Sequence, residues 1–180
     1  MRTPTIPLTL LAVVLIGCAD EPPTALSAGR HGAAAGVAAN RAALPFRGTV
    51  EASETHEHQP DMTTVLIHVV GTGTATHLGR YTLVADVVGD LSTLKASERI
   101  TLTAANGDIL TATADEQATP TADFSALTTV EIATITGGTG RFAGATGSFL
   151  LERVLSLASG ASTGLYTSTG SFTGSIRLAH

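Results

Sequence analysis

Few ionisable side chains in this chain are spaced for chemistry. His56 and His58 in THEHQ lie two residues apart. On a strand they share a face with Glu57 opposite, and such a pair can supply two metal ligands. A hairpin turning across Gln59 to Met62 would put His68 opposite Ser53, away from the pair, so a third ligand is missing. The expectation is a solvated hairpin end and no metal. His77 and Arg80 in THLGR form a second polar pair. An imidazole and a guanidinium at a barrel mouth can orient an anionic ligand; the plainer reading is a turn residue and a surface charge. Glu131, Glu152 and Arg153 interrupt apolar, strand-like runs. If Val130 and Ile132 face the interior, Glu131 faces water, and the alternation favours that. An inward Glu152 would be a buried carboxyl with a raised pKa, a candidate general acid or base. His77, Arg80 and Glu152 are therefore the candidate ligand-binding side chains, and no catalytic residue is identified.

Several motif classes are excluded. Gly138-Thr139-Gly140 with Ala143 fits a loose dinucleotide fingerprint, but that fingerprint needs a helix to hold pyrophosphate, and Gly144 and Gly147 oppose one. No cofactor is expected. No G-x-S-x-G elbow, H-E-x-x-H pair or P-loop occurs, so nucleophilic catalysis has no visible constellation. The net charge of -5 comes with no basic run outside the N-terminus, which excludes a nucleic-acid footprint.

The 180 residues are 43% hydrophobic and 14% charged, the balance of a globular chain with one domain. The single cysteine, Cys18, excludes an intrachain disulfide. Arg2 precedes an apolar run from Ile6 to Gly17. As a helix this run would measure about 18 Å against a hydrocarbon core of about 30 Å, so it reads as the h-region of a signal peptide spanning 1–17. Leu15-Ile16-Gly17-Cys18 resembles a bacterial lipobox, with Cys18 as the lipidated residue. The alternative is an ordinary secretory signal beside a chance cysteine. A lipid anchor, at about 0.8 kcal/mol per buried methylene, would fix the protein at a membrane of the bacterial cell envelope. Residues 18–44 are rich in Ala, Gly and Pro and lack large side chains. They read as a flexible tether with a mean reach of about 25 to 30 Å.

The third segment, 45–180, changes to a period of two and contains all five phenylalanines and both tyrosines. Strands are expected near 46–56, 64–71, 79–88, 98–105, 109–116, 128–136, 147–157 and 164–178, separated by Gly, Pro, Asn and Asp. In RITLTAANGDILTATAD a two-residue turn would pair Leu102 with Thr111 and mix the faces. A three-residue loop, Ala105 to Gly107 with Gly107 left-handed, pairs Leu102 with Leu110. One-sided antiparallel strands must close into either a sandwich or a barrel. The run GGTGRFAGATG, residues 137–147, favours the barrel. Gly137 and Gly138 can turn the chain where a Cβ would clash, and Gly140, Gly144 and Gly147 permit sharp coiling or close approach, with no helix inside the segment. FTGSI in the last strand echoes FRGTV in the first; if the two are neighbours, the barrel closes there.

The run ITGGTGRFAGATGSFLL, residues 135–151, resembles the glycine-rich hairpin of plant allene oxide cyclases and dirigent proteins. Ile135, Thr136, Gly137, Gly138, Thr139, Gly140, Phe142, Gly144, Ala145 and Gly147 stand at matching positions. The resemblance implies an all-β fold, a closed eight-stranded antiparallel β-barrel with an apolar interior, trimeric in many of the plant proteins. The catalytic side chains of the cyclases find no matching motif here. The expected function is therefore a membrane-anchored barrel that binds a small apolar ligand or a partner, without catalysis. The alternative is a cyclase or isomerase that folds an apolar substrate in the cavity.

Overall fold

The computed structural model describes residues 42–179. The signal segment, Cys18 and the tether as far as residue 41 lie outside them. Eight strands follow one another: β1 (Leu44–His58), β2 (Thr64–Ala75), β3 (Gly79–Asp90), β4 (Lys95–Ala104), β5 (Ile109–Pro120), β6 (Ala126–Gly138), β7 (Thr146–Ser156) and β8 (Leu165–Arg177). Each pairs antiparallel with the next, and β8 pairs with β1, so the sheet is a closed eight-stranded barrel. Closure removes both sheet edges.

The registers follow from side-chain size. Leu102 pairs with Leu110 and Thr101 with Thr111, and Gly107 turns at φ +87°, as the three-residue loop requires. In the closing pair, Phe46 lies opposite Gly174 and Gly48 opposite Phe172, so each ring of the FRGTV and FTGSI motifs faces the other strand's glycine. Several strands outrun their apolar cores: β2 reaches Ala75, β4 starts at Lys95 and β5 ends at Pro120. Tilted barrel strands go on pairing after their inward residues turn polar. The β1–β2 register differs from expectation, because His68 pairs with Thr55 and not with Ser53.

The glycine-rich segment is the β6–β7 connection. Gly138 (φ +156°) and Gly147 (φ +146°) sit where a Cβ would strike the carbonyl oxygens of Ile109 and Ser175, which is why only glycine fits. The expectation of no helix is corrected in detail. Gly140–Phe142 form one turn of 3-10 helix at the tip of the hairpin, so Gly140 and Gly144 shape a turn and do not coil a strand. A four-residue helix, α1 (Leu157–Gly160), begins the β7–β8 connection.

The interior is filled at the end that carries this hairpin. Phe46, Phe149 and Phe172 form a triangle of rings with centroids 5.0 to 5.5 Å apart. Phe142, Leu110 and Ile176 are buried beside them. Such aromatic clusters combine large buried area with favourable edge contacts.

The parity of β6 is the reverse of the expected one, and on β7 the condition of an inward Glu152 is not met. Val130, Ile132, Leu150 and Val154 face outward, Ile132 at 65% exposure, whereas Glu131 is completely buried. Glu152 is exposed and Arg153 is buried. Phe149 and Leu151 set the inward face of β7, and alternation then carries Arg153 inside with Leu155.

Candidate functional site

Four glutamates share the inward face of their strands with apolar neighbours: Glu54 on β1, Glu98 on β4, Glu116 on β5 and Glu131 on β6. Arg153 on β7 stands among them. Its Nε donates to Glu131 Oε1 at 2.6 Å and its Nη1 to Glu54 Oε1 at 2.6 Å. Nη1 also reaches Ser168 Oγ at 3.2 Å, and Nη2 reaches Glu116 Oε2 at 3.4 Å. Ser168 donates to Glu54 at 2.7 Å, and Thr129 donates to Glu131 at 3.3 Å. A guanidinium can serve several carboxylates at once because its five donors point in fixed, different directions.

One cation faces four carboxyl groups, and the protonation states follow. Burial would lower the Arg153 pKa, but the surrounding glutamates raise it well above the ordinary arginine range, so the guanidinium stays charged. Burial also pushes Glu98 up, with Glu131 and Glu116 repelling its charge, to about 9. Burial and the nearby Glu131 push Glu116 up to about 7. Glu54 goes the other way. Burial alone would raise it, but His56, Arg153 and Ser168 together hold it below the usual carboxylate range. His56 Nε2 stands 3.6 Å from Glu54 Oε2, just beyond hydrogen-bond reach, and its ring stacks on Tyr166 at 4.3 Å.

Acceptors exceed donors in this layer. Glu98 Oε2 and Glu131 Oε2 have no hydrogen-bond partner among the described residues. One oxygen each from Glu98, Glu116 and Glu131 lies within 4.8 Å of the others. Three carboxylates at that spacing can hold a divalent ion. Here Arg153 already supplies the positive charge, and a proton on Glu98 can bridge to Glu131.

Beyond the charged layer, toward the β1–β2, β3–β4, β5–β6 and β7–β8 loops, the interior is not filled. A cavity of about 190 Å³ lies there, with Val65, Ile67, Val87, Ala96, Leu127 and Leu155 on its walls and Glu54, Glu116 and Arg153 on its floor. His56, His58 and Tyr166 also line it. Three of the four loops at this end turn on an aspartate that accepts bonds from the residues after it: Asp61 from Thr63 and Thr64, Asp90 from Ser92, and Asp123 from Ser125. These bonds lower the pKa values of Asp61 and Asp90; that of Asp123 is lowered to about 2, chiefly by the Thr121 hydroxyl donating to it at 2.7 Å and then by Ser125.

The sequence-derived candidates fall elsewhere. His77 sits in the β2–β3 turn at φ +66° and its Nε2 donates to the carbonyl of Pro45 at 3.1 Å, pinning the start of β1 at the filled end. Arg80 is exposed beside a shallow outer groove with Thr72 and Thr74. Glu152 is on the outer wall. Phe142 is part of the packed core. His56 and His58 do share the inward face, as their spacing requires, and both reach the cavity. His68 faces out and bonds Asp86 at 2.9 Å. The Arg153 cluster was missed because inward parity was assigned to the more apolar face of β6. Phe149 was the available signal: an aromatic anchor fixes parity more firmly than a valine does, since its large ring has no place on a small barrel's outer wall. No family model, curated protein or solved structure matches this chain.

Proposed function

We propose that this chain is a small β-barrel, anchored at the bacterial cell envelope through Cys18, that binds one small apolar molecule in the open half of its interior without transforming it. The observation that carries this reading is the cavity of about 190 Å³, walled by aliphatic side chains, in a barrel whose other half is packed with rings. An engineered cavity of about 150 Å³ admits benzene, so a ligand of one ring or a short chain fits. The segment 135–151 supports placing the barrel with the allene oxide cyclase and dirigent type. The outward apolar residues of β2–β3 (Leu66, Val70, Val84, Val88) and of β6–β7 (Val130, Ile132, Leu150, Val154) support self-association, a trimer being the arrangement expected from that type.

A second reading, a cyclase or isomerase, is favoured by one specific feature. Glu116 reaches the cavity and its pKa is pushed to about 7, where a carboxyl can both give and take a proton.

Native mass spectrometry of the purified chain after exposure to a bacterial lipid extract tests both readings. A retained small, largely apolar mass, released unchanged, supports binding. Release of an isomer of the added compound supports the enzyme. A bare chain in every extract contradicts both. The same spectrum counts the subunits, and a monomer removes the self-association proposal.

A further inference from the structure

Resting on the cavity-binding reading, we infer that the pocket selects a protonated amine carried on a small apolar body, and discriminates against carboxylates of the same shape. The argument is a count of donors and acceptors. A carboxylate ligand needs donors, and four of the five N–H donors of Arg153 are engaged: Nε serves Glu131, Nη1 serves Glu54 and Ser168, and one hydrogen of Nη2 serves Glu116. Thr129 and Ser168 spend their hydroxyl protons on Glu131 and Glu54. His56 Nε2 is a buried polar atom of the lining without a partner, while the carboxylates Glu54 and Glu116 give the floor its excess of acceptors and of negative charge. Glu116 lines the cavity, and its one polar partner among the described residues is the long 3.4 Å contact from Arg153. Behind Glu116, outside the cavity lining, Glu98 Oε2 and Glu131 Oε2 are buried on side chains 5% and 0% exposed, where one proton on Glu98 can bridge them. They belong to residues that each place an oxygen within 4.8 Å of a Glu116 oxygen. An ammonium group brings three donors and a positive charge to this surplus.

The approach favours the same charge. Asp61 and Asp123 stand in loops of the open end, and Asp90, at the end of β3, lines the cavity mouth together with Lys95. A cleft with apolar walls and an acidic rim concentrates cations. The titratable and charged groups around Glu116 and its cavity are Glu54, His56 and His58 from β1, Glu98 and Lys95 from β4, Glu131 from β6, Arg153 from β7 and Tyr166 from β8. β2 contributes Val65 and Ile67 to the cavity wall, and β3 contributes Val87, Gly89 and, at the mouth, Asp90. An ammonium pairs with the ionised form of Glu116, so below pH 7 its binding must first expel the Glu116 proton, and affinity falls by about tenfold for each pH unit.

The test compares cyclohexylamine, cyclohexanol and cyclohexanecarboxylate, three probes of one shape, by chemical-shift titration of the 15N-labelled full chain at pH 8 and pH 5.5. The inference expects cyclohexylamine to bind at least tenfold more tightly than cyclohexanol at pH 8, cyclohexanecarboxylate to bind most weakly, and the amine preference to vanish at pH 5.5. Glu116→Gln should remove both the preference and its pH dependence. That variant separates Glu116 from His56 and His58, the imidazoles that line the same cavity. Should Glu116→Gln fail to fold by circular dichroism, the ranking and pH profile of the unaltered chain decide. Cyclohexanol binding with no advantage for the amine, or a carboxylate bound as tightly as the amine, overturns this inference and leaves the cavity reading standing. Failure of all three probes to bind overturns both.

Discussion

Phe46 and Glu54 lie on the same inward face of β1, yet one is packed among aromatic rings and the other against a guanidinium. The filled end, built from Phe46, Phe142, Phe149 and Phe172, holds the barrel shut by apolar burial. The open end gives up that burial. Its charged layer removes five ionisable side chains from water, a cost that ion pairing offsets only in part. A barrel of this size can be filled from end to end by side chains; here half is kept empty behind a polar floor. The contrast teaches that close packing and an open cavity are assigned to opposite ends of the same strands, with Arg153 at the boundary.

The largest effect should come from breaking that boundary. Arg153→Met leaves Glu54 and Glu131 buried without their cation and should cost about 3 to 5 kcal/mol, read from the midpoint of urea unfolding. Adding Glu54→Gln and Glu131→Gln to it should recover most of the loss. If Arg153→Met alone is neutral, the layer is not a buried ion network. Next in size, Phe172→Ala at the filled end should cost about 3 to 4 kcal/mol, against about 1 kcal/mol or less for Leu127→Ala on the cavity wall. Equal losses would erase the distinction between the ends.

Stability should also depend on pH through the open end alone. The folded pKa values of Glu98 and Glu116 are raised, to about 9 and about 7 from 4.5. The folded state therefore holds protons that the unfolded state releases above pH 4.5, and stability falls as pH rises, by up to about 1.4 kcal/mol per pH unit for each proton. Tm should decline from pH 5 toward pH 9, and Glu98→Gln should flatten the part above pH 7. A Tm that rises over this range would contradict the assignment. The smallest effect is expected on the outer wall. Glu152→Gln should change stability by less than about 0.5 kcal/mol, whereas Glu131→Gln, one residue pair away across the same two strands, should be clearly destabilising.

Most of the architecture could be read from the chain because the signals were local. Period-two strands, the left-handed Gly107, and the Phe46/Gly48 and Phe172/Gly174 motifs each constrain their own neighbourhood, and together they close the barrel. Residues 137–147 declared a tight connection, although the 3-10 turn at Gly140–Phe142 had no separate signal. The site was far less legible. Its five ionisable side chains come from β1, β4, β5, β6 and β7 and are brought together only by closure. On β6 the outward residues Val130 and Ile132 are more apolar than the inward Thr129 and Glu131. Hydrophobic alternation therefore points the wrong way wherever an interior is polar and an outer wall is apolar. Parity read from Phe149 gives the correct face.

The central claim is that a water-poor charged layer separates the two halves, and the Glu116 carboxyl reports on it directly. Its 13C chemical shift, followed by NMR from pH 3 to pH 10 in the selectively labelled chain, should show a midpoint near 7 that drops on Glu131→Gln, because burial and the Glu131 charge together hold it up. A midpoint in the ordinary glutamate range near 4.5, unmoved by Glu131→Gln, would mean that the carboxyl is solvated and that no such layer divides the barrel.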